Sequence, residues 1–211
     1  MITPIQTYYD GHYFRSRIEA RWAVFFNKMG IPYDYEREGY ELDGKPYLAD
    51  FWLPEQNYWI EIKGQFPTED EQQKARNLAT ATGHDVFIFW GKIPLPKHFI
   101  EEFCTDEAGL KVPKHDGNWG NGRSALAFFA RPKKFTASEN FHETITQDYS
   151  YWWTECEDCG LVGIQFEGRD ARLPCSCSSE GNHGIGYASK RLLAAYTAAR
   201  QARFDRGKKG I

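Results

Sequence analysis

The sequence predicts an α/β (α+β) fold: a mixed central sheet flanked by helices, then a small cysteine-bearing module and a C-terminal helix. Three observations lead there. Apolar residues recur at helical spacing in two segments, with short strand-like runs between and after them. Turn residues join those runs. Four of the five cysteines fall in two close pairs beyond residue 149. The chain has 211 residues, 41% of them apolar and 26% charged, enough for one ordinary domain with an appendage. The expected division is a main domain over 1–130, a polar linker over 131–148, and a module over 149–211 ending in a basic helix.

The first helix lies in "RSRIEARWAVFFNKMG". Ile18, Trp22, Phe25, Phe26 and Met29 share a helical face, and Gly30 with Pro32 ends it. Glu19 is the odd residue on that semi-apolar face. Arg15, one turn earlier, offers it an ordinary salt bridge. "YDYE" (33–36) and "YELDGKPYLADFWL" read as strands, with Asp43-Gly44 as a turn. "YLADFWL", the breaker "PEQN" and "YWIEIKG" predict a hairpin. "TEDEQQKARNLATATG" predicts a second helix, with Thr68 and Glu71 as capping box and Gly83 as stop. "DVFIFWG" fits a buried strand, and "SALAFFA" (124–130) one more. Between them, Lys92 to Arg123 is a turn-rich connector. "SKRLLAAYTAARQARFDRG" closes the chain as a helix with Ser189 as N-cap.

The hairpin register raises a chemical question. A turn centred on Glu55-Gln56 sets Leu53 opposite Tyr58, and counting outwards sets Asp50 opposite Glu61. Alternation puts Lys63 on the same face. Two opposed carboxylates repel unless a cation lies between them. Lys63 neutralises them in part, as in a surface salt-bridge ladder. A divalent cation does more: Mg²⁺ favours one or two carboxylates, waters and phosphate oxygens. Asp50 and Glu61 supply carboxylates, the Ile62 carbonyl could add an oxygen, and Lys63 could orient or deprotonate a water.

Glu19, then "AD" with Asp50, then "EIK" with Glu61, Ile62 and Lys63, in helix–strand–strand–helix–strand order, resembles the PD-(D/E)XK, or restriction-endonuclease-like, nuclease superfamily. The match covers roughly residues 8–91, and Ala49 stands where the family usually has Pro. "YLADFWLPEQNYWIEIKG" is similar to the hairpin of phage endonuclease I-type junction resolvases and of transposon-end nucleases. The resemblance implies a restriction-endonuclease-like core that hydrolyses phosphodiesters with a metal-activated water. Asp50, Glu61 and the Ile62 carbonyl would hold Mg²⁺ (or Mn²⁺), Lys63 would position the nucleophile, and Glu19 would bind a second metal or its water shell. Arg15, Arg17 and Arg21 flank Glu19 as candidate phosphate contacts. Gln72, Gln73 and Lys74 either reach the nucleic-acid backbone or form a solvated helix face. The implied protein is a DNA endonuclease of phage or mobile-element origin, with branched DNA as first substrate and duplex ends or sites next. A homodimer would suit symmetric cutting of both strands.

"CEDCG" gives Cys156 and Cys159, and "CSC" gives Cys175 and Cys177. Two close pairs separated by a strand-like stretch resemble a zinc ribbon, a closed structural Zn²⁺ site. His183 could replace one cysteine, and disulfides or unliganded thiols are the alternatives. Cys104 stands alone as a small buried side chain.

A net charge of −3 argues against a purely electrostatic nucleic-acid binder. The last residues are basic, however. Lys190, Arg191, Arg200 and Arg203 are candidate nucleic-acid contacts, or cations that complement the helix dipole. No secretory signal and no membrane-length apolar run is found, so the expected setting is the cytoplasm of a bacterial or phage-infected cell, with no membrane partner. The rival function is a non-catalytic, zinc-containing DNA-binding or adaptor protein with a decayed nuclease core. All four catalytic positions being filled argues against it. The same chemistry on RNA stays open.

Overall fold

The computed structural model describes residues 4–93, 103–105, 111–113, 126–130, 151–156, 158–166, 177 and 189–204. The chain opens with a hairpin, β1 (Thr7–Tyr9) and β2 (His12–Phe14). Its turn residues Asp10 and Gly11 both have positive φ, at 50° and 81°. The sequence carries that signal as Asp-Gly, but the hairpin was not among the expected elements. Helix α1 (Arg17–Met29) follows, with Ser16 as N-cap and Gly30 in the left-handed conformation at its end.

Next come β3 (Asp34–Tyr35), β4 (Gly39–Leu42), β5 (Lys45–Leu48), β6 (Phe51–Leu53) and β7 (Tyr58–Lys63). β4 and β5 pair as a hairpin of their own, turned at Asp43-Gly44, where both residues have positive φ. Helix α2 (Glu69–Thr82) has the expected capping box between Thr68 and Glu71, and Gly83 at its end. Then follow β8 (Asp85–Trp90), a short hairpin of β9 (Phe103–Thr105) and β10 (Lys111–Pro113), and β11 (Leu126–Ala130). A last hairpin, β12 (Tyr151–Glu155) with β13 (Val162–Phe166), precedes helix α3 (Lys190–Gln201), N-capped by Ser189.

The fold is mixed α+β. Its five-stranded sheet runs β11-β8-β7-β6-β3. β7 and β8 are parallel and the other neighbours antiparallel. Parallel neighbours need a crossover, and α2 provides it. Alternation along β7 explains the layers. Ile60 and Ile62 face one core with Phe25 and Phe26 of α1 and Leu192 and Tyr196 of α3. Trp59 faces the other core with Ala75, Leu78 and Ala79 of α2. The sheet therefore lies between α1 and α3 on one side and α2 on the other.

The described part of 149–211 shares the first of these cores. Trp153 of β12 is fully buried, with ring centroids 5.7 and 5.8 Å from those of Phe25 and Phe26. Tyr196 of α3 meets Phe25 at 4.7 Å. Arg191 ties the ends together: it pairs with Glu155 at 2.7 Å and donates to the Met29 carbonyl. Each large buried aromatic side chain contributes about 1.5–3 kcal/mol from lost water contact. No described helix is long and apolar enough to cross a membrane.

Candidate functional site

The hairpin register is the expected one: Leu53 faces Tyr58, Trp52 faces Trp59 and Phe51 faces Ile60. Asp50 stands one residue before β6, beside Glu61 and Ile62 at the carboxyl end of β7. Both carboxylates are only 2% exposed. The Ile62 amide donates to Asp50 Oδ2 at 2.7 Å. In an antiparallel ladder a residue's amide and carbonyl address the same neighbouring strand. The Ile62 carbonyl therefore points to the edge where Asp50 stands.

Lys63 Nζ lies 3.0 Å from Glu61 Oε2 and 3.8 Å from Glu71 Oε1. Burial works against its charge, but Glu61 and Asp50 outweigh it and raise the pKa, so the amine stays an ammonium. The Arg15 guanidinium pairs with Asp50 Oδ1 and, at 2.8 Å, with Glu36. Burial likewise opposes its charge, and Asp50, Glu36 and Glu19 more than compensate.

Glu19 is buried and held by the start of its own helix. Ser16 Oγ donates to its Oε1 at 2.6 Å; the Arg15 amide (3.1 Å) and the Tyr35 hydroxyl (2.8 Å) donate to its Oε2. The Arg15 contact is thus through the backbone, while the guanidinium reaches Asp50. Glu19 remains close enough to Asp50 to help raise its pKa.

Tyr47 was missed in the sequence. It comes from the β4–β5 hairpin, outside the central sheet, and its hydroxyl donates to Glu61 Oε1 at 2.6 Å. Burial, then the Glu61 charge, raises its pKa and keeps the phenol protonated. With Arg15, Glu61, Lys63, Glu71 and Lys74 it lines an open cleft of about 790 Å³.

The site thus holds three buried carboxylates and two cations in a region of low dielectric. Burial raises the Asp50 pKa well above the ordinary carboxylate value, with Glu61 and Glu19 adding to it. A carboxyl raised in the fold contributes stability that is fully present below its unfolded pKa of about 4. That stability is lost as pH rises through the higher folded value. Asp50→Asn is therefore expected to be more stable than wild type at pH 7. The gap should close as the pH falls towards about 4. Urea unfolding at both pH values checks this; a variant no more stable at pH 7 would refute it.

The donor set fits a hard divalent cation in kind: two opposed carboxylates and a carbonyl, all oxygen. Both Asp50 oxygens and both Glu61 oxygens already have partners, so a cation must share them or move Arg15 aside. Glu19 is not drawn into one ligand cluster with them. Among the described residues, the one group of three or more His, Cys, Asp or Glu residues whose ligand atoms all lie within 4.8 Å is Cys156, Cys159 and Cys177.

These cysteines could bind a metal such as zinc. Cys156 and Cys159 sit in the β12–β13 loop, closed by Cys156 N to Leu161 O (2.8 Å) and Gly160 N to Cys156 O (2.9 Å). None of the three is in a disulfide. The Cys177 thiol is pushed up to about 12, first by its hydrogen bond with Cys159 and then by desolvation and Cys156. Thiolates crowded in this way repel, and a cation at their centre reverses the effect. Cys175 and His183 lie outside the described residues, as does the side chain of Cys104.

Compared with known proteins, the chain matches no family model, no curated protein and no solved structure. The site must therefore be read from its own chemistry.

The other candidate contacts scatter. Lys74 pairs with Asp70 at 2.6 Å on the cleft rim. Gln72 bonds the Pro67 carbonyl and Gln73 bonds Asn77, so both serve α2 itself. Arg191 is engaged by Glu155 and Met29. Lys190 and Arg203 are exposed. Arg17 is exposed on α1, and Arg21 and Arg200 are half-buried, with Arg17 and Arg200 both near Arg21.

Proposed function

We propose that this protein is a metal-dependent endonuclease of the restriction-endonuclease-like kind, acting on DNA. One observation carries the reading: Asp50 and Glu61 are buried side by side, with the Lys63 ammonium, at the edge of an open cleft. Such an arrangement is costly as structure alone, because buried like charges destabilise a fold. It is useful where a phosphodiester must be brought to a cation and a water.

Asp50, Glu61 and the Ile62 carbonyl would hold Mg²⁺, which would supply Lewis-acid stabilisation of phosphate charge and a water of lowered pKa. The chain's own residues do the rest. Lys63, held as an ammonium, donates a hydrogen bond to the attacking water or a phosphoryl oxygen rather than acting as base. Tyr47 orients Glu61 through its short hydrogen bond, and Ile62 N–H orients Asp50. Arg15 neutralises Asp50 and is placed to turn to a phosphate. Glu19 holds the start of α1 against Tyr35, which keeps Arg15 in position.

The test is incubation with supercoiled plasmid, linear duplex, a four-way junction, single-stranded DNA and RNA, in millimolar-range Mg²⁺ and in parallel with Ca²⁺. Cleavage of DNA in Mg²⁺ alone is expected, with branched DNA the first substrate to examine. Binding without cutting on every substrate would favour the second reading, a zinc-containing DNA-binding or adaptor protein. That reading has one observation in its favour: Arg15 already closes on Asp50.

Tyr47→Phe removes a donor without changing shape. It is expected to raise the Mg²⁺ concentration needed for half-maximal cleavage by roughly 10-fold, as loss of a ligand's hydrogen-bond partner does. A metal titration of the cleavage rate shows it, and an unchanged midpoint would deny Tyr47 this role.

A further inference from the structure

α1 and α3 pack antiparallel. Phe25 and Tyr196 meet at mid-helix, and Arg191 at the start of α3 donates to the Met29 carbonyl at the end of α1. One turn from Phe25 towards the start of α1 stands Arg21. One turn from Tyr196 towards the end of α3 stands Arg200. Antiparallel packing sets these two side chains next to each other, and Arg17, a further turn along α1, continues the row.

None of these three arginines is in an ion pair among the described residues. The Arg21 Nε is buried and meets no acceptor. A buried donor left unmet is unfavourable. Desolvation, with Arg200 and Arg17 close by, lowers the Arg21 pKa. An anion between the side chains would meet the donor and cancel the repulsion.

The row lies at the same end of the sheet as the carboxylates, on the side of α1 and α3, whereas Glu61, Lys63 and the cleft face the side of α2, so a strand bound to both must pass round that end. Arg200 donates to the Ile93 carbonyl at 3.3 Å, three residues beyond the carboxyl end of β8. Asp50 and Lys63 flank the carboxyl end of β7, the parallel neighbour of β8. Arg17 is two residues before Glu19.

We propose that Arg17, Arg21 and Arg200 form one phosphate-binding site that takes the backbone of a nucleic-acid strand whose next segment enters the carboxylate cleft. The identity of the ligand rests on the nuclease reading; the cluster of cations does not. Three guanidinium groups match phosphate oxygens in charge and in donor geometry.

The test is binding of a short labelled DNA duplex, and of the RNA duplex of the same sequence, over a salt series without added divalent metal. Arg21→Gln, Arg200→Gln and the double variant are compared with Lys28→Gln, which removes a charge from an exposed position two turns along α1. Each arginine substitution is expected to weaken binding several-fold and to reduce the steepness of log K against log salt by about 0.7–0.9. The double variant should lose both contributions, and Lys28→Gln neither. Whichever duplex binds tighter identifies the strand type, and either supports the site. An unchanged slope in the double variant overturns it, as does a wild type that binds neither duplex. Should Arg21→Gln fail to fold, Arg200→Gln decides alone. Because no cleavage is read, a failed arginine site leaves the nuclease proposal standing. Loss of cleavage with salt-sensitive binding intact does the reverse.

Discussion

Lys63→Ala is expected to lower Mg²⁺-dependent DNA cleavage by roughly 10²–10⁴-fold while the protein stays folded. Lys63 is the one cation on the face of β7 that carries Glu61, at 3.0 Å, and it is 30% exposed at the cleft. Substrate can therefore reach it. Its raised pKa makes it a donor at neutral pH, so the variant loses a hydrogen bond and a charge where the transition state gains negative charge. The same change leaves Glu61 without its nearest cation, which makes the buried pair harder to ionise. Circular dichroism, zinc content and duplex binding should stay near wild type. If the alanine variant cuts as fast as wild type, Lys63 is only a counter-ion and the catalytic assignment fails. Lys63→Arg restores charge but not the compact ammonium, and recovery should be partial.

The second large effect belongs to the cysteines. Cys156→Ser is expected to abolish stoichiometric zinc and to destabilise the protein by about 4 kcal/mol, a fall in melting temperature of roughly 10 °C. The reason is position. Cys156 is buried at the end of β12, three residues after Trp153, and its loop leads into Val162 and Ile164, which enter the same core as α1. Loosening that loop frees the hairpin that covers Phe25 and Phe26. Metal analysis and thermal unfolding with and without a strong chelator measure it. Full zinc content and a wild-type melting curve in the variant would remove Cys156 as a ligand, and a wild type that takes up no zinc would remove the metal reading.

How far the sequence could be read depends on which physical signal each feature carries. Asp50 and Glu61 could be paired beforehand because a strand repeats every two residues, so one turn sets the whole register. The caps at Thr68 and Ser189 and the stops at Gly30 and Gly83 are local, and they read directly. Ser16 followed three residues later by Glu19 is a local cap signal of the same kind. Tyr47 had no comparable signal. Its hydroxyl reaches Glu61 only because a separate hairpin folds over the sheet, a contact between residues 14 apart in the chain.

Legible in the sequence were the helices, the strands of the central sheet, the Asp43-Gly44 turn, the carboxylate–lysine face of the hairpin and the nearness of Cys156 to Cys159, while the β1–β2 and β9–β10 hairpins were not. The legible features all follow from periodicity and short-range spacing. Who neutralises whom was settled by the tertiary structure alone. It gave Arg15 to Asp50, Tyr47 to Glu61, and Arg191 to Glu155 and Met29. It brought Cys177 to the first cysteine pair. It packed Trp153 and Tyr196 against α1, and it brought Arg17, Arg21 and Arg200 together with no ion pair among the described residues. Charge pairing and burial depend on distances between elements far apart in the chain, and those distances exist only once the cores on both faces of the sheet have closed.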